Sequence, residues 1–444
     1  MRNLINTIKN IFAIEDLRVR IISTIGFLAV YRLGSYIVLP GVDAAHLAAA
    51  RGGGDTGLVG LINIFAGGAF GRAAIFGLGI MPYISASIVI QLLGIAVPYF
   101  QKLQKEGPSG QKKIERITRV LTVFVTAFQA PGYIASQIAP YMGGPITAFF
   151  YVRSTLILVA GTIFVMWLGE KITDKGIGNG ISLIIMIGII ARLPFAIAAE
   201  FGSRISATGG GLIVFLIELV VLVLVVMATI LLVQGTRRIP VQFAKRIVGN
   251  RQYGGARQFI PLKVNAAGVM PIIFAQAIMF LPLTLAGFSN SAAITGFVGT
   301  FSDIGGFWYN LVFGLMIVAF TYFYTAVIIN PNQMAEDMKR NGGYVPGIKP
   351  GKKTAEYIDL VMSRITLPGS IFLAFIAIMP AIAMKFNVDS QFSRFYGGTS
   401  LLILVGVMID TLQQIESYLL MRHYDGLMKT GRIKGRTSLS GVTA

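Results

Sequence analysis

Long apolar runs, broken by shorter polar stretches, set the pattern of this chain. LIVFLIELVVLVLVVMATILLV (212–233) carries one charge, Glu218, and ITRVLTVFVTAF (117–128) opens another run. A helix needs about 20 apolar residues to cross the hydrocarbon core of a bilayer. Ten stretches approach that length, at 20–40, 74–96, 117–138, 149–168, 178–198, 210–233, 266–286, 307–329, 366–384 and 399–420. The ninth, interrupted by Pro368 and Gly369, reads as the shortest and least regular. The pattern predicts an all-α polytopic membrane protein with ten transmembrane helices.

Within the second stretch, GIMPYISASIVIQLL (79–93) places Ile80, Ile84 and Ile88 four residues apart, on one helix face. Packing against another helix explains such a stripe, and so does lining a path. The segment also has a relative. At an offset of 189, GLGIMPYISASIVIQLL (77–93) aligns with AAGVMPIIFAQAIMFLP (266–282), matching Gly79, Met81, Pro82, Ile84 and Ala86 to Gly268, Met270, Pro271, Ile273 and Ala275. These are the second and seventh of ten spans, so the copies cross in opposite directions. Two inverted five-helix halves follow, a plan in which broken helices meet near a central path. Whether Pro82 bends its helix or begins it is open at this level.

Just upstream, residues 57–66 are apolar over about three helical turns, too short to cross, and run into Gly67, Gly68 and Gly71. The segment lies on the surface or re-enters a cavity between the halves. The resulting division is 1–19, an amphipathic segment at the membrane surface; 20–198, the N-terminal half; 199–420, the C-terminal half; and 421–444, a tail.

Composition agrees: 55% of the 444 residues are hydrophobic and 13% charged, which excludes an ordinary soluble domain. With no cysteine, disulfide and thiolate chemistry are absent, and the two histidines, His46 and His423, stand without partners at metal-ligand spacing. The first long apolar run starts near Ile21 and ends at YIVLPGVD without a small-residue cleavage pattern, so the N-terminus reads as retained.

Charge orients the spans. The net charge is +19. Of the 38 lysines and arginines, 30 fall on one set of connections and termini, and six (Arg51, Arg72, Arg192, Arg204, Lys385 and Arg394) on the other. Arg32 and Arg153 lie in or beside spans. Basic residues stay cytoplasmic, which puts both termini in the cytoplasm. Anionic phospholipids account for part of this charge. Two basic connections are long, 234–265 and 330–365, and their alternating apolar residues with glycine turns predict hairpins that stand clear of the membrane as a docking surface for a large partner. No nucleic-acid recognition fold surrounds these charges. No phosphate-binding GxxxxGK[ST] loop occurs, and GIGNG (176–180) lacks the preceding strand, so the chain reads as a non-enzyme without cofactor or metal.

VYRLGSYIVLPGVD (30–43), NIFAGGAFGRAAIFGLGIMPYISASIVIQLL (63–93), WLGEKITDKGIGNGISLIIM (167–186), RRIPVQFAKR (237–246), IPLKVNAAGVMPIIFA (260–275), NPNQMAEDMKRNGGYVPGIKPG (330–351) and MIDTLQQIESYLL (408–420), in that order, resemble the SecY family, the central subunits of the Sec protein translocase related to Sec61 alpha. The resemblance implies a clamshell of two halves around a channel in the bacterial cytoplasmic (inner) membrane, passing unfolded secretory chains across and transmembrane segments sideways into lipid. It maps a plug onto 57–68, including Leu58, Leu61, Ile62, Ile64, Phe65, Gly67 and Gly68. A pore ring falls on Ile80, Ile84, Ile181, Ile185, Ile273 and Ile403, and a lateral gate lies between spans two and three and spans seven and eight, with Ser85, Ile88 and Gln276 facing it. Docking contacts map to Arg237, Arg238, Lys245, Arg246 and Lys349. The implied partners are SecE, SecG, the SecA ATPase, the ribosome, and polypeptides bearing signal sequences, with SecDF and YidC as further companions. One departure is Lys349, where the family usually has arginine; lysine keeps the charge but loses the bidentate fork.

Two rival readings use the same residues. Glu218, Asp410, Gln413 and Glu416 in or near spans keep a ten-span secondary transporter with inverted repeats in view, because intramembrane acids often mark ion paths. A structural scaffold accounts for the basic loops but not for the paired broken spans. Arg32 reads as a helix-interface or interfacial anchor.

Overall fold

The apolar runs become helices, and the glycines and prolines at their edges decide where each begins. The computed structural model describes residues 14–43, 46–47, 60, 63–142, 147–206, 211–243, 246–248, 251–253, 257–286 and 305–430. The first five stretches carry α1 (Glu15–Gly34), α2 (Met81–Ala96) followed by the short α3 (Pro98–Lys105), α4 (Pro108–Tyr133), α5 (Ala148–Lys175) and α6 (Gly180–Ser206). The second five carry α7 (Gly211–Gln234), α8 (Met270–Ala286), α9 (Phe307–Ile328) followed by α10 (Pro331–Arg340), α11 (Lys352–Lys385), then the single-turn α12 (Ser390–Ser393) and α13 (Gly398–Thr430).

Among the described residues, six helical stretches are long and apolar enough to cross a membrane, Ala148–Lys175, Gly180–Ile205, Gly211–Gln234, Phe307–Arg340, Lys352–Lys385 and Gly398–Leu420, and the bent pair Met81–Gly94 with Pro98–Lys105 would make a seventh. The chain is a helical, multi-pass membrane protein. Several threonines within the helices are satisfied locally. In α4 the buried hydroxyls of Thr118, Thr122 and Thr126 each donate to the carbonyl four residues earlier, at 2.9, 2.7 and 2.7 Å, which removes the cost of an unpaired group in apolar surroundings.

Several boundaries differ from the sequence expectation. α2 and α8 have 16 and 17 residues, because the runs expected to start at 74 and 266 begin as turns. α11 has 34 residues and passes through Pro368 and Pro380, so the ninth stretch is the visible part of a longer helix rather than a short one. Gly369 is needed there for contact: a Cβ would lie 2.9 Å from the Val264 carbonyl oxygen. α6 continues to Ser206, past the expected boundary at 198, and brings Glu200 and Arg204 onto the first five-helix set.

The two long basic connections form one body. β1 (Thr236–Phe243) pairs antiparallel with β4 (Arg257–Lys263), with Ile239 opposite Ile260, and β2 (Arg246–Val248) pairs with β3 (Arg251–Tyr253) as a smaller hairpin. The first connection therefore forms hairpins as expected, whereas the second forms α10, a two-residue strand and the start of α11 instead. Less foreseeable is β5 (Gly343–Tyr344) from the second connection, which joins the other edge of β1, giving the order β4-β1-β5. Beneath the sheet, Ile239, Val241, Leu262, Met338, Val345, Ile358 and Met362 make a shared apolar core. Burial of seven such side chains, at roughly 1.5–3 kcal/mol each when complete, makes the two connections a single platform.

Candidate channel constriction, plug seat and seam

The internal repeat is structural as well as sequential. Gly79 and Gly268 both have left-handed backbone, with φ of +53° and +64°, a conformation that favours glycine. Two residues later each copy enters its helix on Met-Pro. Pro82 occupies the first turn of α2, where its missing N–H leaves no helical hydrogen bond unmade, so it begins the helix and does not bend it. Burial repeats in register: Pro82 and Pro271 are buried, Ile84 and Ile273 half-buried, and Ala86 and Ala275 fully buried.

The six isoleucines fall in two adjoining clusters. Ile80, Ile185 and Ile403 are buried in a large cluster against which Ile84 and Ile181 pack half-buried. Ile273 belongs to a smaller one with Ile88, Ala267, Phe274 and Tyr324, and Ile84 touches both. Residues from both five-helix sets therefore converge on one apolar region. Ile80 lies just outside α2, as its N-terminal cap residue, and the Ile84 amide closes the first helical hydrogen bond on the Ile80 carbonyl at 3.1 Å.

Against this region sits the C-terminal part of the segment expected to be the plug. Ile64 and Phe65 pack in the same cluster as Ile80 and Ile185; Leu58, Leu61 and Ile62 lie outside the described residues. The chain then folds back through Gly67 and Gly68, with φ of +61° and +87°. The Asn63 side-chain oxygen accepts from the Gly71 amide at 2.8 Å, and the Asn63 carbonyl accepts from the Gly68 amide at 2.7 Å. Two guanidiniums grip the Gly67 carbonyl: Arg32 at 3.0 Å and Arg72 at 3.2 Å. Both also lie over the ring of Tyr36, at 5.3 and 4.1 Å from its centre. Arg32 thus does more than anchor an interface; it fastens residues 63–71 to α1. On the far side the segment meets α6 backbone to backbone, because a Cβ on Gly188 would stand 2.7 Å from the Phe65 carbonyl oxygen.

The two seams between the helix sets differ in chemistry. Where α2 faces α8 and α9, the contact is Ile88 against Ala267, Phe274 and Tyr324, with Phe274 and Tyr324 edge to face at 4.9 Å. Ser85 donates to the Met81 carbonyl of its own helix at 3.2 Å. Gln276 is turned to α13, its side-chain oxygen accepting from the Thr399 hydroxyl at 2.8 Å. The residues missed in sequence, Phe274, Phe320 and Tyr324, form an aromatic cluster whose only linear trace is the run AFTYFY (319–324). Where α6 faces α13, the contact is polar at one end: the Gly178 amide donates to Gln414 at 2.8 Å, Arg20 donates to the Gly176 carbonyl at 3.1 Å, and Arg20 lies over the Tyr418 ring.

The acids of the spans do not assemble an ion path. Glu218 pairs with Arg204, while Asp410, Gln413 and Glu416 lie on exposed positions of α13. Among the described residues no group of three or more His, Asp and Glu side chains is placed to hold a metal ion. On the platform, Arg237 and Arg238 are exposed on β1 and Lys349 is exposed in the turn before α11. Lys245 and the side chain of Arg246 lie outside the described residues.

Comparison with known proteins places this architecture. The SecY family model matches residues 74–412. A protein translocase subunit SecY from Chlamydia trachomatis serovar D is 39% identical over 97% of this chain and 99% of its own length. Among solved structures, a SecY protein whose plug domain stabilises the closed state of its channel superposes with a TM-score of 0.63 at 17% identity, covering 93% of this chain and 95% of that one. Canine Sec61 from a ribosome–channel complex superposes at 0.57 and 14% identity, with the same coverage. By its matched length and by its identity to these curated relatives, the chain belongs to the SecY family of central, protein-conducting channel subunits of the translocase.

Proposed function

We propose that the isoleucine region is the constriction of the channel, that residues 57–68 are its plug, and that the apolar seam of α2 with α8 and α9 is its lateral gate. Membership in a family of protein channels sets aside the secondary-transporter reading. The carrying observation is the convergence of isoleucines from both helix sets beneath Ile64 and Phe65. A narrow apolar passage suits a polypeptide, which presents every side chain in turn and would stall on specific polar ligands. It also resists ions, which lose hydration and gain no ligand there.

In this reading the ten helical stretches cross ten times, as two inverted halves that divide after Ser206, the end of α6, and not at the expected 198, with both termini in the cytoplasm of a bacterium and 1–19 and 421–444 as its flanking segments. The turns before α2 and α8 support it, since a helix of 16 or 17 residues spans only with its non-helical lead. Exit into lipid requires a seam that parts at low cost, and contacts among Ile88, Ala267, Phe274 and Tyr324 break without stranding charge. An entering signal segment gains about 0.8 kcal/mol for each CH₂ it transfers to lipid.

Energy comes from a partner, SecA or the ribosome, docking on the platform through Arg237, Arg238, Lys245, Arg246 and Lys349. SecE and SecG accompany the channel, and anionic phospholipids face its basic side. Reversing Lys349 to glutamate is expected to weaken motor-driven transport in reconstituted vesicles while channel assembly stays intact; equal coupling would remove Lys349 from the docking surface. The constriction is tested by trapping a secretory chain in reconstituted vesicles and crosslinking it from positions 80, 84, 181, 185, 273 and 403 in turn. Contact from all six is expected, and a chain that reaches none of them would overturn the reading.

A further inference from the structure

The outer end of the polar seam holds a buried ionic cluster. Arg204, on the last turns of α6, donates through Nε to Glu200 at 2.7 Å and through one terminal nitrogen to Glu218 of α7 and to the Asn387 carbonyl, the latter at 2.9 Å. The second oxygen of Glu200 accepts from the Asp389 amide at 2.7 Å, and the Tyr396 hydroxyl donates to the Glu218 carbonyl at 2.7 Å. Glu200 is completely buried, and Glu218 is 7% exposed. Asn387 takes a left-handed backbone, φ +58°, uncommon for a residue with a side chain, and at this residue the carbonyl meets the guanidinium. One arginine thus ties the first helix set to α7 and to the segment between α11 and α13.

We infer that Arg204 is a positioning residue for gating: the Glu200–Arg204–Glu218 clasp sets the resting angle between the two halves and holds the opposite, apolar seam shut. The inference rests on the proposed gate. Three charges buried together cannot be drawn apart without leaving at least one unpaired in a low-dielectric setting, so this edge stays joined when the halves move. Val388, Phe392, Phe395 and Tyr396 pack in the same cluster as Ile189 and Ala196 of α6, so an angle set at the clasp is transmitted through rigid packing to the isoleucine region. With Arg204 removed, Glu200 and Glu218 face one another without their common cation, and the edge spreads. Spacing shows only the Glu200–Arg204 pair, four apart on one helix; the other members are 14 and 183 residues from Arg204.

The test uses the absence of native cysteine in the chain. Ile88→Cys with Tyr324→Cys reports closure of the apolar seam by disulfide yield in the resting, reconstituted channel, alongside substrate-free ion conductance. Arg204→Gln is expected to lower the disulfide yield severalfold and to raise conductance per channel about tenfold, a shift of a two-state population. Glu218→Gln, which keeps shape and removes one charge, is expected to change both readouts in the same direction and serves if Arg204→Gln fails to accumulate. A purely structural role lowers yield of protein or its thermal stability and leaves both per-channel readouts unchanged; parental values in the two variants would overturn the inference. Failure of the gate reading itself is separable, because the parental cysteine pair would then give no disulfide at rest and no change when a secretory chain is trapped.

Discussion

Gly188→Val is expected to open the channel to ions in the absence of substrate. Gly188 sits where α6 touches the base of the proposed plug: a Cβ would stand 2.7 Å from the Phe65 carbonyl oxygen and 3.2 Å from the Gly67 amide nitrogen, both backbone atoms that no rotamer change can move. Overpacking of this kind costs about 1–3 kcal/mol. The strain is relieved most simply by unseating residues 63–71, since α6 itself is braced along its length by the cluster of Leu183, Ile184, Ile185 and Ile189. A bias of about 1.4 kcal/mol toward the displaced plug multiplies its population about tenfold. Substrate-free conductance in planar bilayers, normalised to reconstituted channel, measures it. Arg32→Gln is expected to act in the same direction with smaller effect, because Arg72 still holds the Gly67 carbonyl. A Gly188→Val channel as tight as the parent would mean that the segment does not seal the passage.

The second large effect is expected at the constriction. Ile84, Ile181 and Ile273 are the three of the six isoleucines that remain half-buried, so they can be altered with less loss of packing than Ile80, Ile185 or Ile403. Replacing all three with serine exchanges branched apolar surface for hydroxyls that hold water in the passage. A wetted constriction lowers the dehydration cost that excludes ions. Ion flux through substrate-free vesicles should rise by at least about tenfold, equivalent to about 1.4 kcal/mol off the barrier. Val220, Leu224 and Leu231 on the outer face of α7 provide the comparison; changed to alanine they should leave flux at the parental level. Equal leak in both triple variants would mean that general loosening, and not the ring, governs permeability.

These effects trace to features of unequal legibility. The apolar stretches were readable, because a bilayer demands uninterrupted apolar length regardless of what packs beside it. The duplication was readable too, from Gly79, Met81 and Pro82 against Gly268, Met270 and Pro271. The start of α2 was not: residues 74–80 are as apolar as a helix, yet left-handed glycine and the folding of 63–71 around Asn63 stop the helix at Met81. The length of α11 was obscured for the opposite reason, since Pro368 and Pro380 read as breaks, whereas the surrounding packing carries the helix through. Glu218 read as the mark of an ion path until Arg204, 14 residues away on another helix, appeared as its partner.

By itself, the sequence determined the class of protein, the positions of its apolar stretches, the repeat, the basic surface and the residues that carry the family resemblance. Those properties live in composition, period and local order, which solvation and chain geometry act on directly. Only the tertiary structure decided which side chains meet: Arg32 and Arg72 on one carbonyl of the plug base, β5 of the second connection on the sheet of the first, Ile84 between two clusters, and Arg204 between two buried carboxylates. Most of these contacts join residues far apart along the chain, as Arg32 with Gly67 and Arg204 with Glu218 do. Only burial, which makes an unpartnered charge or carbonyl costly, selects such contacts.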